Sequence, residues 1–417
     1  NRRDARYYRS NKGGVSVMAD EEKTAPALRF KGFSDAWEQR KLGDIADIKD
    51  SARISNELWV ENGIPYLRSS DLVNGELNGE LFISKETYEG YASKTGAPQK
   101  NDVLFTSGGK VGIVYHKKDE SPVYVQGGAV LYVKTSTSNL LDGSFLSIYF
   151  GSPRMQTYMD IASSGGTIKH FTLKPANASP IIFPGLSEQQ KIGAFFKELD
   201  KTIALHQRQL DNYKQLKKSM KQKIFDQKLR FKDADGNDYP KWKRRTLGEI
   251  SEIIMGQSPD SANYTSNEQD TVLIQGNADL NGGRITPRIY TTQITKTCEA
   301  GDIILTVRAP VGDLAIANTR ACIGRGVCAI KGDLYIYQYL EMIRDTDGWR
   351  KIIQGSTFES INSNDVKDLP IDVPSSEERK KIAEFFKALD RRIEKSTQRV
   401  ESMKQFRKGL MQQMFVE

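Results

Sequence analysis

Residues 187–203, SEQQKIGAFFKELDKTI, return as residues 377–393, EERKKIAEFFKALDRRI, and this repetition constrains the fold more than any other feature of the chain. Long-range self-similarity marks a duplicated unit. Other boxes recur in the same order. LRFKGFSDAWEQRKLGDIADI from Leu28 matches LRFKDADGNDYPKWKRRTLGEISEI from Leu229, keeping Leu-Arg-Phe-Lys, the Trp37/Trp242 pair and a Leu-Gly-acidic-Ile box. NDVLFTSGGKVG (101–112) meets GDIILTVRAPVG (301–312), and GGTIKHFTLKPANASPIIFP (165–184) meets GSTFESINSNDVKDLPIDVP (355–374). The stretches between the boxes diverge and align only at a trailing Asp-Leu, so the frame repeats while its filling differs.

Each copy runs through an opening box, a globular stretch, a Pro-terminated strand and a long charged helix. The expected divisions are an extension without fixed structure (1–27), a first globular domain (28–185), a central helix (186–228), a second globular domain (229–375) and a C-terminal helix (376–417). The chain begins with Asn1 and its first Met is Met18, so residues 1–17 are read as an upstream extension and set aside. Within the globular stretches, SPVYVQGGAVLYVK and GDIILTV are short apolar runs bounded by turn residues and read as strands. SFLSIYFGSPRMQTYMDIA and LYIYQYLEMIRDTDGWRKII have helical apolar spacing. The fold class is therefore α/β, with two mixed α/β domains in tandem, joined and separated by two long helices.

Those helices carry heptads. Ile192, Phe196, Leu199, Ile203, His206, Leu210, Tyr213, Lys217, Met220 and Ile224 follow a strict alternation of four and three, and Ile382, Phe386, Leu389, Ile393, Ser396, Val400, Met403, Arg407, Leu410 and Met414 repeat it. At about 1.5 Å per residue each helix would reach about 60 Å. Ser187 or Ser376 after a Pro is the expected N-cap, with Glu residues suiting the positive helix end. The obvious partner for each seam is the other copy, in an antiparallel coiled coil with internal pseudo-twofold symmetry. That register sets His206 against Arg407 and Lys217 against Ser396; a plain dimerisation coil is the competing use of such heptads.

Catalytic signatures are missing. Three histidines, His116, His170 and His206, leave little for metal or acid–base work, and the three cysteines, Cys298, Cys322 and Cys328, have no paired spacing. There is no phosphate-binding loop, no methyltransferase Asn/Asp-Pro-Pro-Tyr/Phe box and no nuclease carboxylate–lysine motif, since the EQD after SPD lacks its Lys. No run of 18 apolar residues suggests a membrane span, and unpaired cysteines suit a reducing, cytoplasmic setting. With 61 Lys and Arg against 53 Asp and Glu, the chain leans toward polyanions. Two unlike domains on a rigid spacer suit duplex DNA, whose equivalent groove faces recur about every 34 Å.

These residues carry a family resemblance. The W…LG(D/E)I opening, GDIILTVRAPVGDLAIA, IGRGVCAI and the twice-used P…SEQQKIGAFFKELD box with its long helix resemble the specificity (S) subunit of type I restriction-modification enzymes, over roughly residues 28–417. The resemblance implies two target recognition domains, each reading half of a split site in double-stranded DNA, and no catalysis in this chain. It implies two methyltransferase (modification) subunits as partners, together with restriction/translocase subunits. S-adenosylmethionine, ATP and Mg would sit on those partners.

Lys110 and Arg308 lie in equivalent turns, where a cation could meet phosphate or a guanine edge; a solvated turn is the competing reading. The glycine-containing segments carry Thr167 and Lys169 in one copy and Thr357, Glu359 and Ser360 in the other, a composition suited to groove contact. Arg325 and the opening cations Lys243, Arg244 and Arg245 are further candidates, against ordinary ion pairing. Tyr66, Arg68 and Gln275 fall in the divergent segments, where specificity should reside. An intramolecular coiled-coil scaffold that binds only proteins is the alternative from another class; it would show no salt-sensitive affinity for DNA.

Overall fold

A computed structural model describes residues 25–73, 76–77, 79–166, 169–353 and 359–416. Most of the expected extension, and the candidates Thr167 and Thr357, lie outside the described residues. The chain forms two compact units: one runs to Leu205 and resumes at Glu401, the other is His206–Val400. Each therefore holds one globular stretch and parts of both long helices, Leu186–Phe225 and Ser376–Met414.

In the first unit the opening strand Glu38–Lys41 pairs antiparallel with the Pro-initiated strand Pro180–Phe183, which brings the two ends of the globular stretch together. The main sheet places Val130–Val133 between Ile48–Asp50 and Val103–Thr106, with Val114–His116 at the edge. All four residues of Val103–Thr106 and of Val130–Val133 are buried because the sheet is covered on both faces. Alternation still sorts them. Val103, Phe105, Leu131 and Val133 join a core shared with the helices, while Leu104, Val130 and Tyr132 join a smaller core beneath the strands around Leu67 and Val125. The expected helix over residues 144–162 divides into Gly143–Tyr149 and Pro153–Ala162, since Ser152 caps a new start ahead of Pro153.

The second unit repeats the plan. Lys243–Thr246 pairs with Pro370–Val373, and Ile303–Thr306 lies between Val327–Lys331 and Leu314–Ile316. Ile303, Leu305, Cys328 and Ile330 face the core that Leu334–Asp345 covers, whereas Ile304, Val327 and Ala329 face the other side. All three cysteines are free and buried. Burial pushes the Cys298 thiol up to about 11 and the Cys328 thiol up to about 12, so neither forms a nucleophilic thiolate near neutrality.

Every seam position named from the sequence is buried or half-buried. In the first unit Phe196 meets Phe415 with ring centroids 6.0 Å apart, and Arg407 holds Asp200 through two bonds. In the second, Phe225 stacks on Phe386 at 6.4 Å and the Lys217 ammonium reaches Asp390 at 2.7 Å. Within each unit, residue numbers rise along one helix as they fall along the other, so the segments run antiparallel. Phe196 and Phe386 have no exposed surface, and burial of each contributes about 1.5–3 kcal/mol.

The polar seam positions pair differently from expectation. Lys217 binds Asp390 and Glu341 rather than Ser396, and Arg407 binds Asp200 rather than His206. A half-buried cation gains more from a carboxylate than from a hydroxyl or an imidazole. The caps differ too. Ser187 lies inside its helix, and the Gly185 carbonyl accepts from the amides of Glu188 and Gln189; in the second copy Ser375, not Ser376, accepts from Glu378 through its Oγ.

The recurrence of the opening box also has a physical reason. Arg29 forms a two-bond pair with Glu188 (2.9 and 2.6 Å), and Arg230 does the same with Glu378 (3.2 and 2.6 Å). Beside each pair an edge-to-face ring contact at 5.7 Å, Phe30 on Phe195 and Phe231 on Phe385, completes the clasp. The Leu-Arg-Phe-Lys box is thus the docking strip for the helix that closes its own copy.

Candidate nucleic-acid interface

Each main strand ends in a threonine that builds the turn after it. Thr106 Oγ1 donates to the Lys110 carbonyl (2.5 Å) and accepts from the Ile113 amide (3.0 Å). Thr306 Oγ1 donates to the Pro310 carbonyl (2.7 Å) and accepts from the Asp313 amide (2.8 Å). The turns close through Gly112 and Gly312 at φ +82° and +98°, a conformation that glycine adopts without strain. This is the cause of the shared pattern of Thr followed by Val-Gly, and it leaves Lys110 and Arg308 exposed at the tips.

The glycine-containing segments dock on these turns. In the first unit the Phe171 amide donates to the Ser107 carbonyl (2.7 Å), and Gly108 bridges His170. In the second, Ile361 donates to Val307 (3.0 Å), Ala309 donates to Glu359 (3.1 Å), and Arg308 bridges Ser360. On the other side of the turns, Ser107 donates to Ala129 and Val307 to Gly326. Next in line, Gln126 donates to Leu67, and Gly324 to Ile274. Glycine is required here. A Cβ on Gly326 would lie 1.9 Å from the Gln275 carbonyl oxygen, and one on Gly127 would lie 1.8 Å from that of Ser51.

One end of the second unit therefore gathers Ser360, Arg308, Arg325 and Gln275, and the corresponding end of the first gathers Lys169, Lys110 and Arg68. These candidates are not equally available. Lys110, Arg308 and Arg325 are exposed and have no carboxylate partner among the described residues, so an anion approaching them would displace no ion pair. Lys169 pairs with Asp160 at 3.1 Å. Arg68 is folded onto Asp71 through Nε and Nη2 (3.1 and 3.0 Å), and these bonds raise the affinity of its guanidinium for its proton.

Two sets of candidates lie elsewhere. Tyr66 is fully buried, stacked on Tyr124 at 6.2 Å, with its Oη accepting from the Ile54 amide. It falls on the inward phase of the strand Ile64–Leu67 and belongs to the core. Lys243, Arg244 and Arg245 precede the strand Glu252–Met255, of which only the far end, Met255, reaches the Cys328 side next to the Gly-Arg-Gly turn. Arg244 is spent on Asp372 at 3.2 Å. Sequence reasoning also missed a cation at this end, Arg288, which rests on buried Asp279; the only available signal was the Asp-Leu shared by the divergent segments.

The basic bias of the chain does not come from the globular stretches. Residues 28–185 hold 17 Lys and Arg against 17 Asp and Glu, and residues 229–375 hold 17 against 20. The helical stretches 186–228 and 376–417 hold 10 against 5 and 11 against 7. The loop ends thus carry individually placed cations rather than a broad positive field. Among the described residues no three His, Cys, Asp or Glu side chains converge on a metal position, and no helix is long and apolar enough to cross a membrane.

Comparison with known proteins places this geometry. The family model for the type I restriction modification DNA specificity domain matches twice, at residues 34–215 and 239–404. The assigned specificity subunit of the type I restriction enzyme MjaX from Methanocaldococcus jannaschii is 27% identical over 403 residues, covering 90% of this chain and 92% of that one. The MjaVIII specificity subunit of the same organism is 21% identical over 411 residues, with 90% and 91% covered. Among solved structures, the type I restriction-modification S subunit from M. genitalium superposes with a TM-score of 0.61 at 16% identity, covering 94% of this chain and 99% of that one. A chain from a study of complex assembly and conformational transition of the type I R-M system gives 0.58 at 20% identity, with 90% and 96% covered.

Proposed function

Because the chain belongs to the type I restriction-modification DNA specificity family, its domain matched twice over, we propose that each unit reads one half of an asymmetric, split DNA site. The role of the chain is DNA sequence specificity; a coiled-coil scaffold without DNA binding has no support in that membership. The observation that favours a split site is the loop end common to both units: the same turn, glycine segment and neighbouring loop carry Lys110 in one and Arg308 with Arg325 in the other. A shared backbone with different side chains suits two different half-sites.

In this reading the candidates Lys110, Lys169 and Arg68 serve the first half-site, and Arg308, Ser360, Arg325 and Gln275 the second. Thr167 and Thr357 remain candidates on sequence grounds. The antiparallel helices set the separation of the half-sites and dock two modification subunits, which would carry S-adenosylmethionine and methylate the DNA. Restriction/translocase subunits with ATP and Mg would complete a nuclease. This chain supplies recognition and no chemistry, in the cytoplasm where the DNA is.

Exchanging residues 37–183 for those of a relative tests the reading directly. Assembled with its modification subunits, the hybrid is expected to methylate a site with one altered half and one unchanged half. Changes in both halves, or in neither, would refute it. The isolated chain should bind DNA weakly, with an affinity that falls steeply as salt rises.

A further inference from the structure

The loops that follow the strands Ile64–Leu67 and Thr271–Ile274 share a buried aspartate and differ in how they satisfy it. Asp71 and Asp279 are almost fully buried, and each accepts the backbone amide of its own loop at 2.7 Å, from Arg68 and Gln275 respectively. After each comes a short hairpin, Leu72–Val73 with Glu76–Leu77 and Leu280–Asn281 with Arg284–Ile285. In the second unit it turns at Gly282 and Gly283, both at positive φ. The register beyond the hairpins is common to both. Tyr66 donates to the Leu81 carbonyl (2.8 Å) and Leu273 to that of Ile289 (3.0 Å), so the residues just before, Glu80 and Arg288, occupy equivalent positions.

The charge at that position is reversed between the units. In the first, Asp71 takes its cation from its own loop, Arg68, and the position beyond the hairpin is an exposed acid, Glu80. In the second, Gln275 and Gly276 leave the loop without a cation, and Arg288 reaches back so that its Nε donates to Asp279 Oδ1 at 2.9 Å. The consequences for the two guanidinium groups differ. Arg68 spends a whole edge, Nε with Nη2, on Asp71, whereas Arg288 spends only Nε. Its terminal edge, with Nη1 and Nη2, has no partner among the described residues, and the side chain is 51% exposed. A buried carboxylate that holds an arginine by Nε fixes its direction and leaves the terminal fork for a bidentate acceptor pair. The O6 and N7 of guanine are such a pair in the major groove. The position is right as well, since the Gln275 carbonyl abuts the turn that carries Arg325.

We infer that Arg288, aimed by Asp279, reads a guanine in the half-site recognised by the second unit. Arg288 is the specificity-determining residue and Asp279 the positioning residue; the first unit, with Glu80 at the equivalent place, reads no guanine there. This deepens the proposed function and rests on it.

The test uses the full chain assembled with its modification subunits and a duplex pool that varies every position of its site, sequenced for methylation. The wild type should require guanine, or cytosine on the opposite strand, at one position of the second half-site. Arg288→Gln should relax that position by about tenfold or more, the scale of one bidentate base contact, and leave every other position intact. Arg288→Lys should relax it too, because an ammonium keeps the charge and loses the fork. Asp279→Asn should relax the same position; if that variant folds poorly, the exposed Arg288 substitutions carry the test alone. A uniform loss of methylation over all sequences would make Arg288 a phosphate contact and overturn the inference, as would an unchanged preference or a second half-site that requires no guanine. A wild-type complex without site selectivity would instead sink the functional reading itself, and this inference with it.

Discussion

In the first unit a half-exposed ion pair, Arg407 with Asp200, ties the two helix segments across their seam, with the guanidinium over the Phe196 ring. In the second, Lys217 and Lys221 sit among Glu341, Asp345 and Asp390, and Lys221 has only 4% of its side chain exposed. Asp200 and Asp390 are the same position of the repeat, as are Phe196 and Phe386. What the two copies share is the apolar root of each helix and the Arg–Glu clasp that docks the opening box. What differs is the polar layer beside them. Apolar burial accepts one solution in both units because it is set by volume and periodicity, whereas a buried charge needs partners from whichever element happens to face it. Among the described residues only the second unit has a helix, Leu334–Asp345, with carboxylates turned toward the seam.

The largest expected difference follows from that network. Lys221→Met removes the most buried cation of the network, leaving Asp345 its longer contact with Arg344 (3.3 Å) and Glu341 its bond to Lys217, and should cost the second unit about 3 kcal/mol. Asp200→Asn, at the half-exposed pair, should cost the first unit about 1 kcal/mol or less. Hydrogen exchange of Ile303–Thr306 and Val103–Thr106 in the full chain reads the two units separately. Equal losses would mean that burial of the network contributes nothing beyond the exposed pair.

A smaller contrast lies at the paired tryptophans. Trp242 Nε1 donates to Glu378 Oε2 at 2.9 Å, while the equivalent Trp37 Nε1 is buried without a hydrogen-bond partner. Replacing each Trp by Phe removes packing as well, so single substitutions do not isolate the bond. A double-mutant cycle of Trp242→Phe with Glu378→Gln should give a coupling of about 1.5–3 kcal/mol, the range for a bond to a charged acceptor. The same cycle on Trp37 and Glu188 should give a coupling near zero. Comparable couplings would show that Trp37 reaches Glu188 in solution.

The parts of the fold that were legible in the sequence are those governed by local periodicity. Phe196 and Phe386 announce themselves through the heptad and the repeat, and the Thr-to-Gly turns through two matching boxes. The partners of Lys217 were not legible, because Glu341 lies on an element more than a hundred residues away and the heptad offers only Ser396. The burial of Tyr66 is not legible either, since a four-residue strand gives too little alternation to fix its phase. Arg288 escaped notice for a related reason: its link to Asp279 runs through a Gly-Gly hairpin whose counterpart in the first unit bears the opposite charge. At the loop ends, the frame of the site is written in shared glycines and threonines, while the chemistry is written in residues the two copies do not share.

Acid gives the finest test of the contrast. Burial opposes the charge on Glu341, but the ammonium groups of Lys217 and Lys221 outweigh it and hold the carboxyl below its ordinary 4.5. Asp345 is likewise held below 3.8, with burial overcome by its bond to Lys221. A carboxyl depressed in the folded state binds fewer protons there than in the unfolded chain, so its stabilisation is complete above the ordinary value and fades as pH falls through the depressed one. The second unit should therefore lose protection progressively below about pH 4.5, and Glu341→Gln should flatten that slope without touching the first unit. The first unit has its own depressed carboxyl, Asp119, held at about 2 by Ser121 and Lys117, but it lies on an exposed loop where solvent screens its contribution. Hydrogen exchange, corrected for the intrinsic pH dependence of the amides, distinguishes the two courses. Parallel loss of protection in both units, unaffected by Glu341→Gln, would mean that the network titrates no differently from solvent-exposed carboxylates and that the asymmetry between the units is geometric only.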